Sequence, residues 1–454
     1  MLSPSMIIRT ASIILSLQLV SADVLNLNEV CLSVVAKILY GHLGVCGAPS
    51  KIEFLDEKDY APWTTKPQCL YPHDLTKGVK EHYCIYANKN FADGRGIVIM
   101  TTPAIAAEIA SKPAFTDPDS IKGTNDLANQ PWGPPAYEMK PLPGRGFGMI
   151  ANRTIFRGER LMQETPAFIY NREMYSLFDE TDRIPLHWHA AYLLPEEARK
   201  ELLSLHTHHG GDELDDLMRT NAFGVYFGEP PVLHNNVLPR TSRFNHDCRP
   251  NAHYYFDPET MTKYVHAVRT INPGEEVLIN YTDAEYTSIE RQHAIHLSWG
   301  FKCACSICRQ PPDHLSASDS RLKMIKEIKA KLNDWTEDQP NRIQMAETLV
   351  QLYQQERLDV PLATGYESAA YAYAIAGDEY LARKYAALAV DAMTIFYGAN
   401  HALTLDLELM MLDPKQHRTW LYSVRNETAE GDEDGENKTK VEGKEGKSDD
   451  WQFF

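Results

Sequence analysis

The sequence predicts an α+β protein in which a region of short strands is followed by an all-helical region. Residues 144–169 and 237–282 alternate turn and strand character, and the second stretch contains KYVHAVRTI (263–271), an Asn-Pro-Gly turn and EVLINY (276–281). Residues 320–398 instead carry apolar residues at helical spacing. Strand-rich and helix-rich segments that follow one another are typical of the α+β class.

The overall composition is that of an ordinary globular protein. The chain has 454 residues, of which 43% are hydrophobic and 24% are charged, so wholesale disorder, collagen and coiled coil are excluded. Its length predicts two or three domains. The formal net charge is −17, to which ten acidic and four basic residues in 426–450 contribute −6. We therefore expect no direct DNA binding, which requires a basic face.

The N-terminal residues 1–22 are predicted to form a secretory signal peptide. Arg9 ends a short basic start, residues 10–20 are uncharged and mostly apolar, and VSA (20–22) offers a small-residue cleavage site. The apolar run is too short to span a bilayer, and no later segment is long enough, so no transmembrane segment is expected. A buried N-terminal helix is the alternative interpretation.

Residues 23–140 form an N-terminal cysteine-containing region that is rich in turns. A strand over 94–103 and a short helix over 104–112 are predicted, and clustered prolines end the region. After a signal peptide, its four cysteines favour two disulfides with three possible pairings; they are Cys31, Cys46, Cys69 and Cys84. Free buried thiols are the alternative if no signal peptide is present.

A glycine-rich turn, GRGFG (144–148), opens the main strand region. Glycine is required where the backbone approaches a ligand closely, which makes this turn a candidate binding element. An ordinary strand turn is the alternative. Apolar residues at helical spacing over 185–222 predict a helical insert, at about 171–235, between the two strand-rich stretches.

A cysteine cluster near residue 300 predicts a metal site. Cys303, Cys305 and Cys308 form a C-x-C-x-x-C run, which can wrap a tetrahedral ion and needs a fourth ligand. Cys248 is the one other cysteine in this half of the sequence. We predict a four-thiolate zinc site, which is structural because no coordination position stays open. Two disulfides are the alternative, although bridges between such close thiols strain the backbone.

The motif around Cys248 resembles a known family. The strings RFNHDCRPN (243–251), LINY (278–281) and GFKCACSIC (300–308) follow the glycine opening in the order found in SET-domain proteins. These are protein-lysine methyltransferases that use S-adenosylmethionine. The chain resembles the branch of SMYD proteins and related fungal SET proteins, in which a helical insert splits the domain. The resemblance covers 144–310 directly and 320–410 by architecture, and it implies small curved sheets with knot-like threading.

The resemblance also implies the domain organisation. We expect a SET domain with its insert over 141–310, which ends in a zinc-binding post-SET loop over 300–310. An all-α domain similar to tetratricopeptide repeats is expected over 315–415, and a disordered acidic tail over 416–454. A plain helical bundle is the alternative for the all-α domain, since no clean 34-residue period emerges. The cysteine-rich MYND finger of SMYD proteins is absent, because 170–240 contains no cysteine.

The resemblance further identifies candidate site residues. Tyr281 is the candidate catalytic residue, since a tyrosine beside the transferred methyl can orient the attacking amine; a core tyrosine is the alternative. The candidate cofactor-binding residues are Arg145, Gly146, Phe147, Gly148, Asn221, Ser242, Asn245, His246, Tyr281 and Phe301. The candidate zinc ligands are Cys248, Cys303, Cys305 and Cys308.

The predicted function is S-adenosylmethionine-dependent methylation of a lysine amine in a protein substrate. The alternative is a secreted, non-catalytic SET module that binds proteins through the C-terminal helices, and it is motivated by the doubtful supply of the cofactor outside the cytosol. The signal peptide favours a secreted or endomembrane-lumen location, whereas the family is usually nuclear or cytoplasmic. The C-terminal helices are a candidate surface for a protein partner. Glycosylation sequons begin at Asn152, Asn280, Asn426 and Asn437.

Overall fold

The structure is a computed structural model that describes residues 60–72, 81–335 and 339–422. The predicted signal peptide, Cys31, Cys46 and the acidic tail beyond residue 422 lie outside the described residues, as do the sequons at Asn426 and Asn437. Within the described part of the chain, small β-sheets are followed by a helical region. The α+β class predicted from the sequence is therefore confirmed.

The strands of the described residues form three sheets. They are β1 (Gln68–Leu70), β2 (Tyr83–Asn88), β3 (Ile97–Thr101), β4 (Tyr137–Leu142), β5 (Gly146–Ala151), β6 (Arg160–Glu164), β7 (Phe168–Asn171), β8 (Ala222–Phe227), β9 (Val232–Val237), β10 (Asn245–His246), β11 (Ala252–Asp257), β12 (Thr262–Ala267) and β13 (Glu276–Ile279). The sheet orders are β1-β2-β3-β7-β9-β8, β10-β13-β5-β4 and β11-β12-β6.

The longer helices flank the sheets or follow them. They are α1 (Pro103–Ala110), α2 (Glu180–Tyr192), α3 (Glu196–Leu203), α4 (Glu213–Asn221), α5 (Ser288–Trp299), α6 (Pro312–Asn333), α7 (Arg342–Glu356), α8 (Leu362–Ile375), α9 (Glu379–Phe396) and α10 (Ala402–Leu412). Short helical turns lie at Phe91–Gly94, Pro113–Thr116, Pro118–Ile121, Leu127–Asn129, Met174–Leu177, Thr241–Arg243 and Pro414–Gln416. No helix among the residues described has the length and apolar character needed to cross a membrane.

The described N-terminal residues are part of the same β-structure as the later chain. Strand β3 pairs in parallel with β7, so β1, β2 and β3 extend a sheet whose other strands come from 168–237. Cys69 lies opposite Cys84 across the β1–β2 pair, and the two form a disulfide. The sequence alone treats this stretch as a separate region, because strand partners this distant in sequence leave no local signal.

The segment predicted as a helical insert contains helices and a hairpin. Helices α2, α3 and α4 pack their apolar faces on the sheet, and α4 ends at Asn221. The chain then continues as the β8–β9 hairpin, which pairs with β7. The sequence AFGVYF of β8 is rich in aromatic and β-branched residues, which favour strands. Residues 222–237 therefore belong to the sheet, not to the helical part of the insert.

A second core lies between the two smaller sheets. Phe244, Val265 and Ile279 are fully buried there together with residues of β5, β6 and β11. Phe223, Tyr254 and Tyr281 pack against this core but keep part of their surface exposed. These three partly exposed aromatic side chains therefore lie at the border of the core, and one of them is the predicted catalytic residue.

Helices α6 to α10 form the helical region. Small side chains allow close helix packing, and Ala369, Ala386 and Ala389 are fully buried. Helix α9 also contacts strand β11, and Phe396 lies against His253, with their ring centres 4.9 Å apart. The helical region is thus packed on the β-structure as well as within itself.

Candidate active site

The glycine-rich turn places a backbone segment against two polar side chains. Gly146 has a φ of +70°, a conformation that favours glycine. A Cβ on Gly148 would lie 2.5 Å from Glu276 Oε1 and 3.2 Å from Asn245 Nδ2. Arg145 pairs with Glu276, its Nη1 lying 2.8 Å from Oε2. The small residue at 148 thus allows the strand, the carboxylate and the amide to meet.

Asn245 joins this turn to the RFNHDCRPN string. Its Nδ2 donates to Phe147 O at 2.8 Å and to Glu276 Oε1 at 2.7 Å. Asn245 lies on β10, which pairs in parallel with β13, and β13 pairs in turn with β5. The strand order therefore brings together two motifs that are about a hundred residues apart in the chain.

His246 connects the predicted catalytic residue to the cysteine cluster. Its Nδ1 accepts a hydrogen bond from the Tyr281 backbone N–H at 3.0 Å, and its Nε2 lies 3.3 Å from Cys248 Sγ. Burial lowers the pKa of His246 to about 4, so the ring is neutral and carries its proton on Nε2. Because both ring nitrogens already have protein partners, we expect His246 to contact the cofactor through its backbone.

Tyr281 lies just beyond the end of β13, with its hydroxyl held in place. The hydroxyl donates to Phe244 O at 2.7 Å, and the ring lies 5.3 Å from that of His246 and 4.9 Å from that of Trp299. Burial raises the pKa of Tyr281, and Glu276 adds to this effect. The phenol therefore stays protonated and can act as a fixed hydrogen-bonding group but not as a nucleophile.

The remaining predicted cofactor residues lie around the same tyrosine. Phe301 is 38% exposed, and its ring centre is 6.4 Å from that of His246. Ser242 Oγ donates to Asn221 O at 3.2 Å. Trp299 Nε1 donates to the carbonyl of Thr220, the residue before Asn221. A continuous set of contacts thus links Asn221 and Ser242 to Tyr281.

Sequence reasoning missed four residues of this neighbourhood. The Trp299 ring lies tilted beside Tyr281, Glu276 receives bonds from both motifs, and Phe223 and Tyr254 pack on the same core as Tyr281. The position of Trp299, two residues before Phe301, is a usable signal, as is that of Phe223, two residues after Asn221. Glu276 and Tyr254 offer no comparable signal, since their roles follow from strand pairing.

The cysteine cluster has the geometry expected of a tetrahedral zinc site. The four thiols of Cys248, Cys303, Cys305 and Cys308 are free and lie within 4.8 Å of one another. Cys248 Sγ is 3.8 Å from Cys303 Sγ and 3.6 Å from Cys308 Sγ. Zinc–sulfur bonds of about 2.3 Å give sulfur–sulfur separations of about 3.8 Å in a tetrahedron. The donor set and its spacing therefore fit Zn²⁺.

Groups around the cluster support thiolate ligands. Besides the His246 ring, the buried Arg291 interacts with Cys308, and the nearby thiols raise the pKa of Arg291 although its burial lowers it. Gln292 holds the loop by accepting a hydrogen bond from Cys303 N and donating to Cys303 O. Such outer groups orient metal ligands and offset their negative charge.

Comparison with known proteins agrees with this geometry. The family model of the SET domain matches residues 146–282. The chain is 28% identical over 201 residues to histone-lysine N-methyltransferase set5 of Schizosaccharomyces pombe. The aligned residues make up 44% of this chain and 57% of the relative. It is 40% identical over 68 residues to a SET and MYND domain-containing protein of Dictyostelium discoideum, covering 15% and 20% of the two chains.

A mammalian relative extends the comparison. The chain is 30% identical over 118 residues to histone-lysine N-methyltransferase SMYD3 of Mus musculus. The aligned residues make up 25% of this chain and 27% of the relative. The chain thus matches just over half the length of the fungal relative and less of the other two. The matched segment begins within the glycine turn and contains the RFNHDCRPN string and Tyr281. Residues 146–282 thus match the SET domain, and the matched parts of the chain are similar to fungal set5 and to the SMYD proteins.

Proposed function

We propose that this protein transfers the methyl group of S-adenosylmethionine to a lysine amine of a protein substrate. The observation that carries the proposal is the placement of Tyr281. Its hydroxyl is fixed by Phe244 O, at the point where the glycine turn, the Asn245-His246 pair and the aromatic residues before the cysteine loop meet. The relatives named as histone-lysine methyltransferases support the same class of reaction.

The residues present fit S-adenosylmethionine, which supplies an activated sulfonium methyl when bound. Gly148 lets Glu276 and Asn245 approach the glycine turn, where a Cβ would collide with them. Asn221 and Ser242 contact each other, and Phe301 lies near His246. Backbone groups at Gly146 and at Asn245-His246 are the candidate contacts. The half-exposed Phe301 provides an apolar surface for a flat ring.

The residues of this chain position the substrate lysine amine and exclude water from it. Phe223, Tyr254, Tyr281 and Trp299 form apolar walls that exclude water from an inserted lysine side chain, which favours its neutral, nucleophilic form. The Tyr281 hydroxyl orients the amine, and His246 fixes the tyrosine backbone. Orientation of this kind supplies much of the acceleration of a displacement reaction. The zinc loop holds Phe301 and Trp299 in place.

A methyl-transfer assay tests the proposal. Zinc-loaded full-length protein is incubated with radiolabelled S-adenosylmethionine and a pool of lysine peptides that includes histone sequences. We expect transfer by the wild type and a loss of about a hundredfold or more in Tyr281→Phe, because the orienting hydroxyl is removed. Tyr380→Phe is the matched control, since Tyr380 is 76% exposed on α9, away from the site. Absence of cofactor binding by calorimetry in the wild type would refute the proposal.

We also propose that the chain passes through an oxidising compartment, as the N-terminal sequence indicates. The Cys69–Cys84 disulfide supports this, since structural disulfides persist outside the cytosol. In such a compartment a non-catalytic binding role becomes the competing function. N-terminal sequencing of the mature protein tests the location, because retention of residues 1–22 contradicts it. A wild type that binds proteins but transfers no methyl group to any peptide favours the binding role.

A further inference from the structure

Cys69, His82 and Cys84 form a second cluster of metal-binding side chains, outside the site described above. One ligand atom of each residue lies within 4.8 Å of the corresponding atoms of the other two. Cys69 lies directly opposite Cys84 across the β1–β2 pair. His82 precedes Cys84 by two residues, and side chains two positions apart along an extended chain lie on the same face. The strand pairing therefore brings two sulfur atoms and one imidazole together.

The chemistry of these three donors suits Zn²⁺. Zinc in proteins binds cysteine sulfur and histidine nitrogen in tetrahedral geometry. Two thiolates cancel the charge of the ion, so a complex with a neutral imidazole has no net charge. This balance matters because Cys69 and Cys84 are 4% and 1% exposed, in an apolar core that also contains Trp63 and Tyr86. An uncompensated charge in such a core would be costly.

The His82 ring is available as a ligand. Its nitrogens form no hydrogen bond with any residue that the structure describes. The ring is half-buried and lies beside Tyr71, with the two ring centres 5.1 Å apart. The cluster can therefore be reached from solvent on the histidine side. Three protein ligands leave the fourth position of a tetrahedral zinc ion to a water molecule.

Strand β1 depends on the link between the two cysteines. It has three residues, lies at the edge of its sheet and pairs with β2 among the described strands. So short a pairing is weak by itself. In the structure the sulfur atoms are joined as a disulfide, which fastens β1 to β2. Reduction of this bond removes the fastening unless another link replaces it.

We propose that Cys69, His82 and Cys84 bind one Zn²⁺ ion when the disulfide is reduced, so that the metal replaces the covalent link between β1 and β2. Tetrahedral zinc requires the sulfur atoms to lie about 3.8 Å apart and the nitrogen about 3.6 Å from each sulfur. Both separations are smaller than the 4.8 Å within which the three ligand atoms already lie. The sulfur atoms stay bridged in an oxidising compartment, and zinc holds them in a reducing one.

The change between the two states is balanced in atoms and electrons. A dithiol reductant gives two electrons and two protons to the Cys69–Cys84 bond and itself becomes a disulfide. Zn²⁺ then forms a bond to each sulfur atom, and the two thiol protons pass to water. An oxidising disulfide reverses the change, because it takes two electrons from the thiolates and two protons from water while Zn²⁺ is released.

Zinc counting on the full-length protein tests the inference. Protein kept without reductant and protein reduced with a phosphine are both loaded with Zn²⁺, freed of excess metal, and measured by elemental analysis and native mass spectrometry. We expect one zinc per chain without reductant, bound by the Cys248 cluster, and two after reduction. The double variant Cys69→Ser, Cys84→Ser should hold one zinc under both conditions. One zinc in the reduced wild type, or two in the double variant, overturns the inference.

His82→Ala tests the third ligand in a protein that keeps both thiols. Loss of even an outer partner of a metal ligand costs about 10- to 100-fold in affinity, so His82→Ala should weaken the second zinc by about a hundredfold or more. Competition with a coloured chelator measures this affinity in the reduced protein. His314→Ala is the matched control, since His314 is exposed at the start of α6. Equal affinity in the wild type and His82→Ala overturns the inference, and none of these measurements requires methyl transfer.

Discussion

Gly148 is the residue whose lack of a side chain matters most for the geometry of the site. Its Cβ position would lie 2.5 Å from Glu276 Oε1 and from Leu142 Cδ1. We expect Gly148→Ala to displace Glu276 and with it Asn245, and so to weaken S-adenosylmethionine binding by about tenfold, the equivalent of about 1.4 kcal/mol. Calorimetric titration of the zinc-loaded protein measures the change.

The matched control separates lost space from backbone strain. Gly144 has a positive φ of +71°, which Gly148 does not, and a Cβ at Gly144 meets no atom within 4 Å. Gly144→Ala should therefore cost about 1 kcal/mol of stability through strain and leave cofactor affinity nearly unchanged. Equal losses of affinity in the two variants would show that the approach of Glu276 and Asn245 to the glycine strand is not the cause.

At the residue scale, the motif strings predicted which side chains meet but not what each one does. Asn245, His246 and Tyr281 are close together because β10 pairs with β13, and the order of the strings was enough to group them. That His246 holds the Tyr281 backbone could not be read from the sequence, because it depends on the direction of the ring.

At the element scale, we expect zinc bound by the cysteine loop to stabilise the aromatic residues of the site. The loop begins directly after Phe301 and reaches back to Cys248 in the RFNHDCRPN string. Removal of zinc with a chelator, or Cys305→Ser, should lower the melting temperature by about 5 °C or more and abolish cofactor binding, because metal binding energy is also folding energy. Differential scanning calorimetry and metal analysis record both effects, and added zinc should restore the chelated wild type.

A neighbouring serine provides the control for the loop. Ser306 is exposed between the cysteines, so Ser306→Ala should retain zinc, melting temperature and binding. Metal analysis that finds no zinc, together with paired thiols in mass spectra, would instead establish the disulfide interpretation of these four cysteines. One zinc per chain with four free thiols after its removal is the expected result.

Local patterns predicted helices better than they predicted strand partners. The helical period in 379–398 predicted the helix observed as α9, and the buried alanines of α9 recur with that period. The hairpin of β8 and β9 was missed because it continues directly from α4 without a glycine or proline between them. The pairing of β3 with β7 joins residues about seventy positions apart, and no local pattern records such a partner.

At the scale of the whole molecule, a buried network of charged side chains around Glu356 connects the helical region to the segment next to Cys248. Arg249 follows Cys248, and its Nη2 donates to Glu356 Oε2 of α7 at 2.8 Å, with side chains 3% and 2% exposed. Arg321 and Ser318 of α6 also donate to Glu356. The helices thus hold the segment that carries Cys248, a candidate zinc ligand, so the helical region and the site should stabilise each other.

Breaking this network tests that coupling. Glu356→Gln leaves Arg249 buried without its counter-charge, which should cost about 3 kcal/mol in the free energy of unfolding. Denaturant unfolding measures the loss. Glu379→Gln is the control, because Glu379 pairs with Arg383 and Lys415 on the surface and such pairs contribute less than about 1 kcal/mol. If the helices stabilise the zinc-bearing loop, Glu356→Gln should also release zinc to a chelator faster than the wild type. A variant with reduced stability but an unchanged rate of zinc release would show that the helical region stabilises only itself.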